Sequence, residues 1–524
     1  MALRLVNLGN LSLDFDEIYS VKLSTMDFSG IVNATSRDFH PPLYYFILNL
    51  WTSVFGRSEF AVRIPSLTFG LFSIWAVYLI AKYIFDERTA LFASFLFALS
   101  HLNVRFAQDA RMYSLLVLLA VLAMFYLLKL TNEQTIKNFA WFVLLNVLLL
   151  YTHVYSFFII SAEYFYFLSL YFLDREAFKK GLPWFFHAAV IILLLFAPWI
   201  FIFSKQFLLA QKLLWIPKAT FWGFFESLIE YSGSFLLSFV LLPLIVLSLF
   251  SVSIGLKKNP GALLNLLESA SISFSLKNIK NNYFLLLWLL FPILLPFTIS
   301  QFLSPIFLMK YTIAASVAFI LLASGGYREI HIPAFRYTII ILVAAFSLLN
   351  FKNDWSVPTK ERWKEAINFL DQSADQKDLI AFNAGVSRYL YDYYSNRSNI
   401  PTLSLEPGED QLNRDSLKSL LSPYLSKYEK IWLVVSHSRD YKHEIVNTMK
   451  ELTDSVSTRL FSTNNRKYFF ISSFTDRSFD LYLLKSYTSP DITVYAFQKK
   501  NKSFFTQNAK QPPDKTRMSV SGAQ

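Results

Sequence analysis

The sequence predicts a polytopic α-helical membrane protein with a soluble α/β domain at its C-terminal end. The 524 residues are 54% hydrophobic and only 16% charged, whereas a soluble domain carries about 25% charged residues. Residues 1–350 hold nearly all the long apolar segments, and the remainder is more polar. We therefore predict a membrane domain over 1–350, an α/β domain over 351–500 and a disordered tail over 501–524.

Ten apolar segments predict about ten transmembrane helices. Several are near the ~20 residues that a helix needs to cross a bilayer. A shorter apolar helix, residues 43–55, follows Pro41-Pro42 and is predicted at the membrane surface, as is a helix within the aromatic stretch 204–233. The ten segments are 66–84, 88–106, 111–129, 139–153, 154–172, 184–204, 234–256, 283–300, 305–324 and 334–350.

The C-terminal part alternates two kinds of pattern, which is typical of a small layered α/β domain. Helix-like runs lie at 363–372, 386–395 and 441–452, and strand-like runs lie at 378–382, 430–436, 467–473 and 492–498.

Basic residues predict the orientation of the chain. One set of loops holds thirteen Lys and Arg residues, against five in the opposite loops after residue 66. Basic loops stay cytoplasmic, so the acidic loop 10–65 and the C-terminal domain are predicted outside. An outer N-terminus implies a further helix upstream of Met1, with translocation of a short N-terminal tail as the alternative. The thirteen basic residues of the loops predicted to be cytoplasmic are Lys82, Arg88, Lys129, Lys137, Arg175, Lys179, Lys180, Lys257, Lys258, Lys277, Lys280, Arg328 and Arg336.

The formal net charge of +12 fits basic cytoplasmic loops and contacts with anionic lipid or phosphate. No basic block interleaved with aromatic residues stands out, so nucleic acid is not a predicted partner. The chain has no cysteine, which excludes disulfide and thiolate chemistry.

Three carboxylates, Asp14, Asp16 and Glu17, lie within four residues ahead of the apolar segments. They form either a solvated turn or a site in which a carboxylate acts as general base or binds a divalent cation. Like charges raise the pKa of one such group, which suits a base. Asp38 either caps the helix that begins at Pro41-Pro42 or faces the site, and His40 is a structural residue, a proton carrier or a metal ligand.

Further candidates lie in other loops predicted outside. Asp109 and Arg111 either pair with each other or share a polar cavity with Asp16. Lys310 either extends to the membrane surface or binds a phosphate, and His153 is a structural or a ligand-binding histidine. The i, i+4 spacing of Glu59 and Arg63 predicts a structural ion pair.

Four motifs, in this order, resemble glycosyltransferase family 39, which includes protein O-mannosyltransferases and lipid A aminoarabinose transferases. The resemblance covers residues 1 to about 320, and Asp354-Trp355 with Trp363-Lys364-Glu365-Ala366 resemble the start of the outer domain of bacterial relatives. The motifs are Asp16-Glu17-Ile18-Tyr19-Ser20, His40-Pro41-Pro42-Leu43-Tyr44-Tyr45, Glu59…Arg63-Ile64-Pro65-Ser66 and Gln108-Asp109-Ala110-Arg111-Met112-Tyr113.

The resemblance implies a GT-C fold in a bacterial inner membrane. Such enzymes take a sugar from a polyprenyl-phosphate carrier outside the cytoplasm, usually with inversion, and pass it to a lipid, glycan or protein acceptor. It implies Asp16 as the base, Glu17 as a residue that shapes the site and Asp109 as a second acidic group. It leaves the need for a divalent metal cation open.

Lys310-Tyr311 falls where relatives often have Arg-Tyr, thought to hold the donor phosphate. Lysine keeps the charge there but loses bidentate phosphate geometry. Asp38, His40, Arg111, Tyr113 and His153 complete the predicted substrate-binding residues. A transporter or lipid flippase, with carboxylates in mid-span and paired broken helices, and a non-catalytic family member are the alternatives.

Overall fold

The structure is a computed structural model. It describes residues 1–210, 216, 218–256, 270–276, 279–356, 360–383, 385, 387–397, 399–405, 423–424, 427–428, 430–436, 458–462, 467–470, 485–488 and 492–498.

The described residues between 1 and 361 are mainly helical. A two-stranded antiparallel sheet, β1 Phe250–Leu256 and β2 Ala270–Leu276, interrupts the helices where the sequence predicts the end of an apolar helix and a loop. The helices are α1 Ala2–Leu5, α2 Phe15–Leu23, α3 Phe28–Ser36, α4 Leu43–Phe55, α5 Glu59–Ile84, α6 Glu87–Leu99, α7 His101–Ala107, α8 Tyr113–Asn132, α9 Ile136–Leu150, α10 Ser156–Leu173, α11 Arg175–Ala210, α12 Trp222–Ser232, α13 Phe235–Leu249, α14 Ile279–Phe302, α15 Ala315–Arg328 and α16 Pro333–Ser356.

The polytopic helical class is confirmed. Among the described residues, six helices are long and apolar enough to cross a membrane, or up to eight when each of two bent pairs counts as one span. The pairs are α6 with α7, bent by 59°, and α12 with α13, bent by 94°. The apolar segments predict about ten because hydropathy also counts α9 and α15, which are only 15 and 14 residues long.

Helix α5 joins the two ends of the helical unit. The Ser58 side chain accepts a hydrogen bond from the backbone N–H of Ala61 at 3.2 Å and so caps the start of the helix. The 26 residues of α5 extend about 39 Å at 1.5 Å per residue. Arg63 in its first turns belongs to a buried acidic cluster, whereas Lys82 near its end pairs with Glu87 at the start of α6, on the side predicted to be cytoplasmic.

Close packing of α13 against α15 depends on a glycine. A Cβ atom added to Gly326 would lie 1.7 Å from the backbone carbonyl oxygen of Leu244. No side-chain rotation relieves such a contact, so the two backbones would have to separate.

Gly326→Ala is therefore expected to destabilise the helical unit by about 1–3 kcal/mol, measured as a lower apparent Tm in detergent. Gly223→Ala is the control, because its Cβ would meet only the ring of Phe307, at 3.3 Å. Equal Tm values for the two variants would contradict this account of the packing.

Contacts divide the chain into two compact units, Met1–Glu361 with Asn465–Ser489, and Arg362–Asn464 with Pro490–Gln524. The second unit contains a five-stranded sheet in the order β4-β3-β5-β9-β6, in which β3 runs parallel to β4 and β5, and β9 is antiparallel to β5 and β6. Its elements are α17 Trp363–Ser373, β3 Leu379–Phe382, α18 Ser387–Tyr394, β4 Thr402–Ser404, β5 Lys430–Val435, β6 Thr458–Ser462 and β9 Thr493–Gln498.

Most of the strands and helices expected in the C-terminal part appear near their predicted positions. The sequence analysis missed β4 and β6, as well as β8, Lys485–Thr488, which pairs with β7, Lys467–Phe470. The helix expected at 441–452 and the tail 501–524 lie outside the described residues.

Candidate active site

A capping box starts helix α2. The Asp14 carboxylate accepts a hydrogen bond from the backbone N–H of Glu17 at 2.9 Å, and the Glu17 carboxylate accepts one from the N–H of Asp14 at 3.1 Å. This reciprocal pair satisfies two N–H groups that the helix itself leaves without partners. It also places Asp16 in the first helical turn, where the helix dipole favours a negative charge.

Glu17 is fully buried and surrounded by donors. The Arg63 guanidinium approaches it in a bidentate way, with Nε at 2.7 Å and Nη2 at 2.8 Å, and the backbone N–H of Ala110 lies at 3.0 Å. Burial raises the pKa of Glu17, but Lys360 and Arg63 outweigh it and hold that pKa below its ordinary value. The spacing in the sequence predicts an ion pair between Glu59 and Arg63, but in the structure the Arg63 guanidinium pairs with Glu17.

Lys360 joins the acidic residues at the start of α2 to Asp109 in the loop before α8. Its ammonium lies 2.6 Å from Oδ1 of Asp109, 2.7 Å from Oε2 of Glu17 and 3.7 Å from Oδ2 of Asp14. Oxygens of these three carboxylates come within 4.8 Å of one another, a spacing that suits a metal ion. The lysine lies among the same oxygens, and the sequence analysis missed it.

Asp16 makes a different ion pair. Its Oδ2 lies 2.9 Å from Nζ of Lys310, and Arg111 donates from Nη1 to the backbone carbonyl of Asp16 at 3.2 Å. Burial raises the pKa of Asp16, but Arg111 and Lys310 outweigh it and bring that pKa to about 2. The carboxyl whose pKa is raised is Asp14, to about 6, mainly by burial. The expectation that like charges raise the pKa of the base therefore does not hold for Asp16.

A cavity of about 210 Å³ lies between these groups. Asp109 and Arg111 share it with Asp16, and neither pairs with the other through its side chain: Asp109 bonds Lys360, and Arg111 also donates to Tyr45 Oη at 3.2 Å. Its lining consists of Asp14, Asp16, Leu102, Arg105, Phe106, Asp109, Arg111, Tyr113, Glu230, Met309 and Lys310. The shared-cavity interpretation of Asp109 and Arg111 is the one that fits this geometry.

Two histidines and two tyrosines pack together beside Lys310. The ring centroids of His40 and His153 are 4.9 Å apart, and Tyr311 lies 4.9 Å from His153 and 6.3 Å from Tyr113. The backbone N–H of Tyr155 donates to His153 Nδ1 at 3.0 Å, which leaves the proton of the neutral ring on Nε2. Burial lowers the pKa of both histidines, that of His153 to about 3, so both rings are neutral at pH 7.

Asp38 does not cap helix α4. The helix begins at Leu43, its N-cap is Pro42, and no side chain caps it. The N–H of Leu43 donates instead to the backbone carbonyl of Tyr151 at 3.0 Å, which ties the start of α4 to the turn before α10. Burial raises the pKa of Asp38, and its role toward substrate stays a prediction.

Residues 39–202 match the sequence model of the dolichyl-phosphate-mannose-protein mannosyltransferase family. No curated protein matches the chain at a significant level. Among solved structures, ArnT from Cupriavidus metallidurans in the apo state aligns with a TM-score of 0.57 at 11% identity, over 94% of this chain and 96% of that one. The same protein bound to undecaprenyl phosphate gives 0.56 at 11% identity over the same shares.

The Archaeoglobus fulgidus oligosaccharyltransferase, in complex with Zn and sulfate, aligns with a TM-score of 0.50 at 13% identity, over 83% of this chain and 67% of that one. Identities this low establish the fold alone. The resemblance seen in the sequence is thus confirmed: residues 39–202 match the dolichyl-phosphate-mannose-protein mannosyltransferase family, and the chain has the GT-C fold of these membrane glycosyltransferases.

Proposed function

We propose that the protein is an integral-membrane glycosyltransferase that moves a sugar from a polyprenyl-phosphate-linked donor to an acceptor hydroxyl on the non-cytoplasmic side. The observation that carries the proposal is the Asp16–Lys310 pair at a cavity that also holds Arg111. The Asp16 carboxylate can accept a proton, and the neighbouring Lys310 and Arg111 can bind an anion, so together they supply the two kinds of group that transfer from a phosphate leaving group needs. ArnT, a structural relative, has been crystallised with undecaprenyl phosphate.

Asp16 would act as the general base. The acceptor oxygen attacks the anomeric carbon, its proton passes to the Asp16 carboxylate, and the bond from that carbon to the phosphate oxygen breaks. The polyprenyl phosphate leaves with the electron pair, and Lys310 and Arg111 stabilise its negative charge. A single displacement of this kind inverts the anomeric centre. Glu17, which is fully buried, acts as a positioning residue.

Lys310 would change partner when the donor binds. In the free protein it neutralises Asp16, and an arriving phosphate competes for the same ammonium. Asp16 then loses one of the two cations that lower its pKa and becomes more basic. Donor binding and activation of the base are thereby coupled through one side chain.

The function is tested with membranes that contain the full chain and a panel of polyprenyl-phosphate hexoses and pentoses. Release of polyprenyl phosphate together with a glycosylated lipid, glycan or protein is the expected result. No release with any donor, from protein shown to be folded, would count against the assignment.

Lys310→Met is expected to weaken binding of undecaprenyl phosphate about 10–150-fold, because a charge-assisted hydrogen bond is worth about 1.5–3 kcal/mol. Lys280→Met is the matched control, since Lys280 also pairs with an aspartate, Asp174, at 2.8 Å, outside the cavity. Binding is measured on the purified full chain by native mass spectrometry. Equal loss in both variants would show that Lys310 has no special role.

The pH dependence of transfer gives an independent check. A pKa of about 2 for Asp16 keeps its carboxylate ionised throughout the physiological range, so kcat/KM should show no acid limb from this group between about pH 5 and 8. Lys310→Met removes a cation that lowers this pKa, so the acid limb should move to higher pH. Lys310→Arg should leave the profile as in the wild type.

Transport across the membrane is the second candidate. Both signs expected of a transporter have a counterpart here, because two helix pairs are bent and Glu163 is fully buried in the middle of α10. Asp14, Asp16 and Asp109 instead lie outside every candidate span found among the described residues, which favours transfer. Movement of a labelled lipid between leaflets, without release of polyprenyl phosphate, would favour transport.

A further inference from the structure

The Lys360 ammonium occupies the point where three carboxylates converge. Its distances to Asp109 and Glu17 are 2.6 and 2.7 Å, and the lysine side chain is 13% exposed. Burial disfavours the charge of Lys360, but Asp109, Glu17 and Asp14 outweigh it, so its pKa lies above the ordinary value. The lysine therefore stays protonated and supplies positive charge to the cluster.

Without the lysine, the same oxygens would form a typical binding site for a hard divalent cation. Such ions take carboxylate oxygens as ligands, and oxygens of Asp14, Glu17 and Asp109 lie within 4.8 Å of one another. Three carboxylates so close together repel each other unless a cation lies between them. A lysine and a metal ion are alternative solutions to this repulsion, and they exclude each other sterically.

The cluster also fixes the geometry of the cavity. Glu17 accepts from the N–H of Ala110, and Arg111, the next residue, donates to the carbonyl of Asp16. The lysine holds together the two acids, Glu17 and Asp109, that join α2 to the loop before α8. Loss of the lysine would let this loop and Asp16 move relative to each other.

We propose that Lys360 is a built-in cation that takes the place of a divalent metal ion in the acidic cluster and positions Glu17 and Asp109 beside the cavity. The acids would then need no metal, and removal of the lysine side chain would convert the cluster into a metal site. The metal-binding part of this proposal holds for the protein whatever reaction it catalyses, and the positioning part rests on the proposed transfer.

The test uses the purified full-length protein in detergent with Mn²⁺ as the probe, followed by electron paramagnetic resonance. The wild type should bind no Mn²⁺ at micromolar concentration. Lys360→Ala should bind one Mn²⁺ at micromolar concentration, and the added change Asp109→Asn should weaken that binding at least about tenfold. Lys360→Arg, which keeps a cation in the cluster, should bind none.

Thermal unfolding gives a second readout. Lys360→Ala should have a Tm several degrees below that of the wild type, and Mn²⁺ should restore it, whereas a purely structural lysine would not be replaced by a metal ion. Lys360→Gln serves if the alanine variant does not fold. Absence of Mn²⁺ binding in both Lys360→Ala and Lys360→Gln would overturn the proposal. Binding of Mn²⁺ by the wild type that is lost in Asp109→Asn would overturn it as well, and that experiment needs no lysine variant.

Transfer assays separate this proposal from the proposed function. Chelation by EDTA should leave wild-type transfer unchanged, and Mn²⁺ should restore part of the transfer lost in Lys360→Ala. Wild-type transfer that EDTA abolishes and Mn²⁺ restores would contradict the lysine proposal and leave the glycosyltransferase assignment intact. Absence of transfer with any donor would contradict the assignment, and the Mn²⁺ titrations would still decide the role of Lys360.

Discussion

Asp16→Asn is expected to lower kcat for sugar transfer by about 10²–10⁴-fold, the contribution of a positioned general base. Asparagine keeps the shape of the side chain and an acceptor for Lys310, but it cannot take the proton of the acceptor hydroxyl. Binding of undecaprenyl phosphate should not weaken, because Lys310 loses an anionic competitor for the phosphate. Single-turnover release of polyprenyl phosphate measures the first effect, and native mass spectrometry measures the second.

Asp14→Asn is the matched control. Asparagine caps a helix about as well as aspartate, so the start of α2 should be retained. Asp14 is also the competing base, because its pKa of about 6 is closer to neutral than that of Asp16. Transfer that survives in Asp16→Asn and disappears in Asp14→Asn would move the role of base to Asp14. Full activity in both variants would exclude the mechanism.

Glu17→Ala is expected to destabilise the helical unit by about 3–5 kcal/mol, because it leaves a buried charge without its partner. The Glu17 and Arg63 side chains are 0% and 1% exposed. Arg63 would keep the carbonyls of Leu8 and Leu11, which accept from Nη1 at 2.7 and 2.9 Å, but no carbonyl neutralises a guanidinium. A large fall in the apparent Tm in detergent, with reduced yield of folded protein, is the expected observation.

Glu87→Ala is the control for this loss. Glu87 also pairs with a cation, Lys82, at 3.4 Å, but the two side chains are 65% and 50% exposed. Solvent screens such a pair, so the apparent Tm should not change measurably. A Tm for Glu17→Ala equal to that of Glu87→Ala would show that the buried pair does not stabilise the fold.

The architecture of the helical unit could be predicted because its signals are local. The division between α9 and α10 at residues 151–155 follows from a short polar turn between two apolar runs. The apolar segments number ten, against six to eight candidate spans among the described residues, and α15 contributes to the difference: it is short and almost wholly buried, and a helix surrounded by protein is as apolar as one surrounded by lipid. The break between α12 and α13 falls where the sequence analysis separates the surface helix within 204–233 from the apolar segment 234–256, whereas the bend between α6 and α7 lies inside one continuous apolar segment, 88–106.

The candidate site could be predicted only in part. Motif order identified Asp16, Asp109, Arg111 and Lys310, and the structure brings them to one cavity. Lys360 could not be found in this way, because its partners lie 343 and 251 positions away and its own neighbourhood, Thr359-Lys360-Glu361-Arg362, looks like an ordinary charged stretch. Contacts of such long range are set by the packing of the whole chain.

The capping box makes the start of α2 sensitive to a change in the length of the chain. Asp14 and Glu17 are held to each other by two hydrogen bonds, and Asp16 takes its direction from the helical turn between them. Each residue of an α-helix turns the chain by about 100°. Inserting or deleting one residue within 14–17 would therefore break the cap and rotate the candidate base away from Lys310, although every side chain of the motif would still be present.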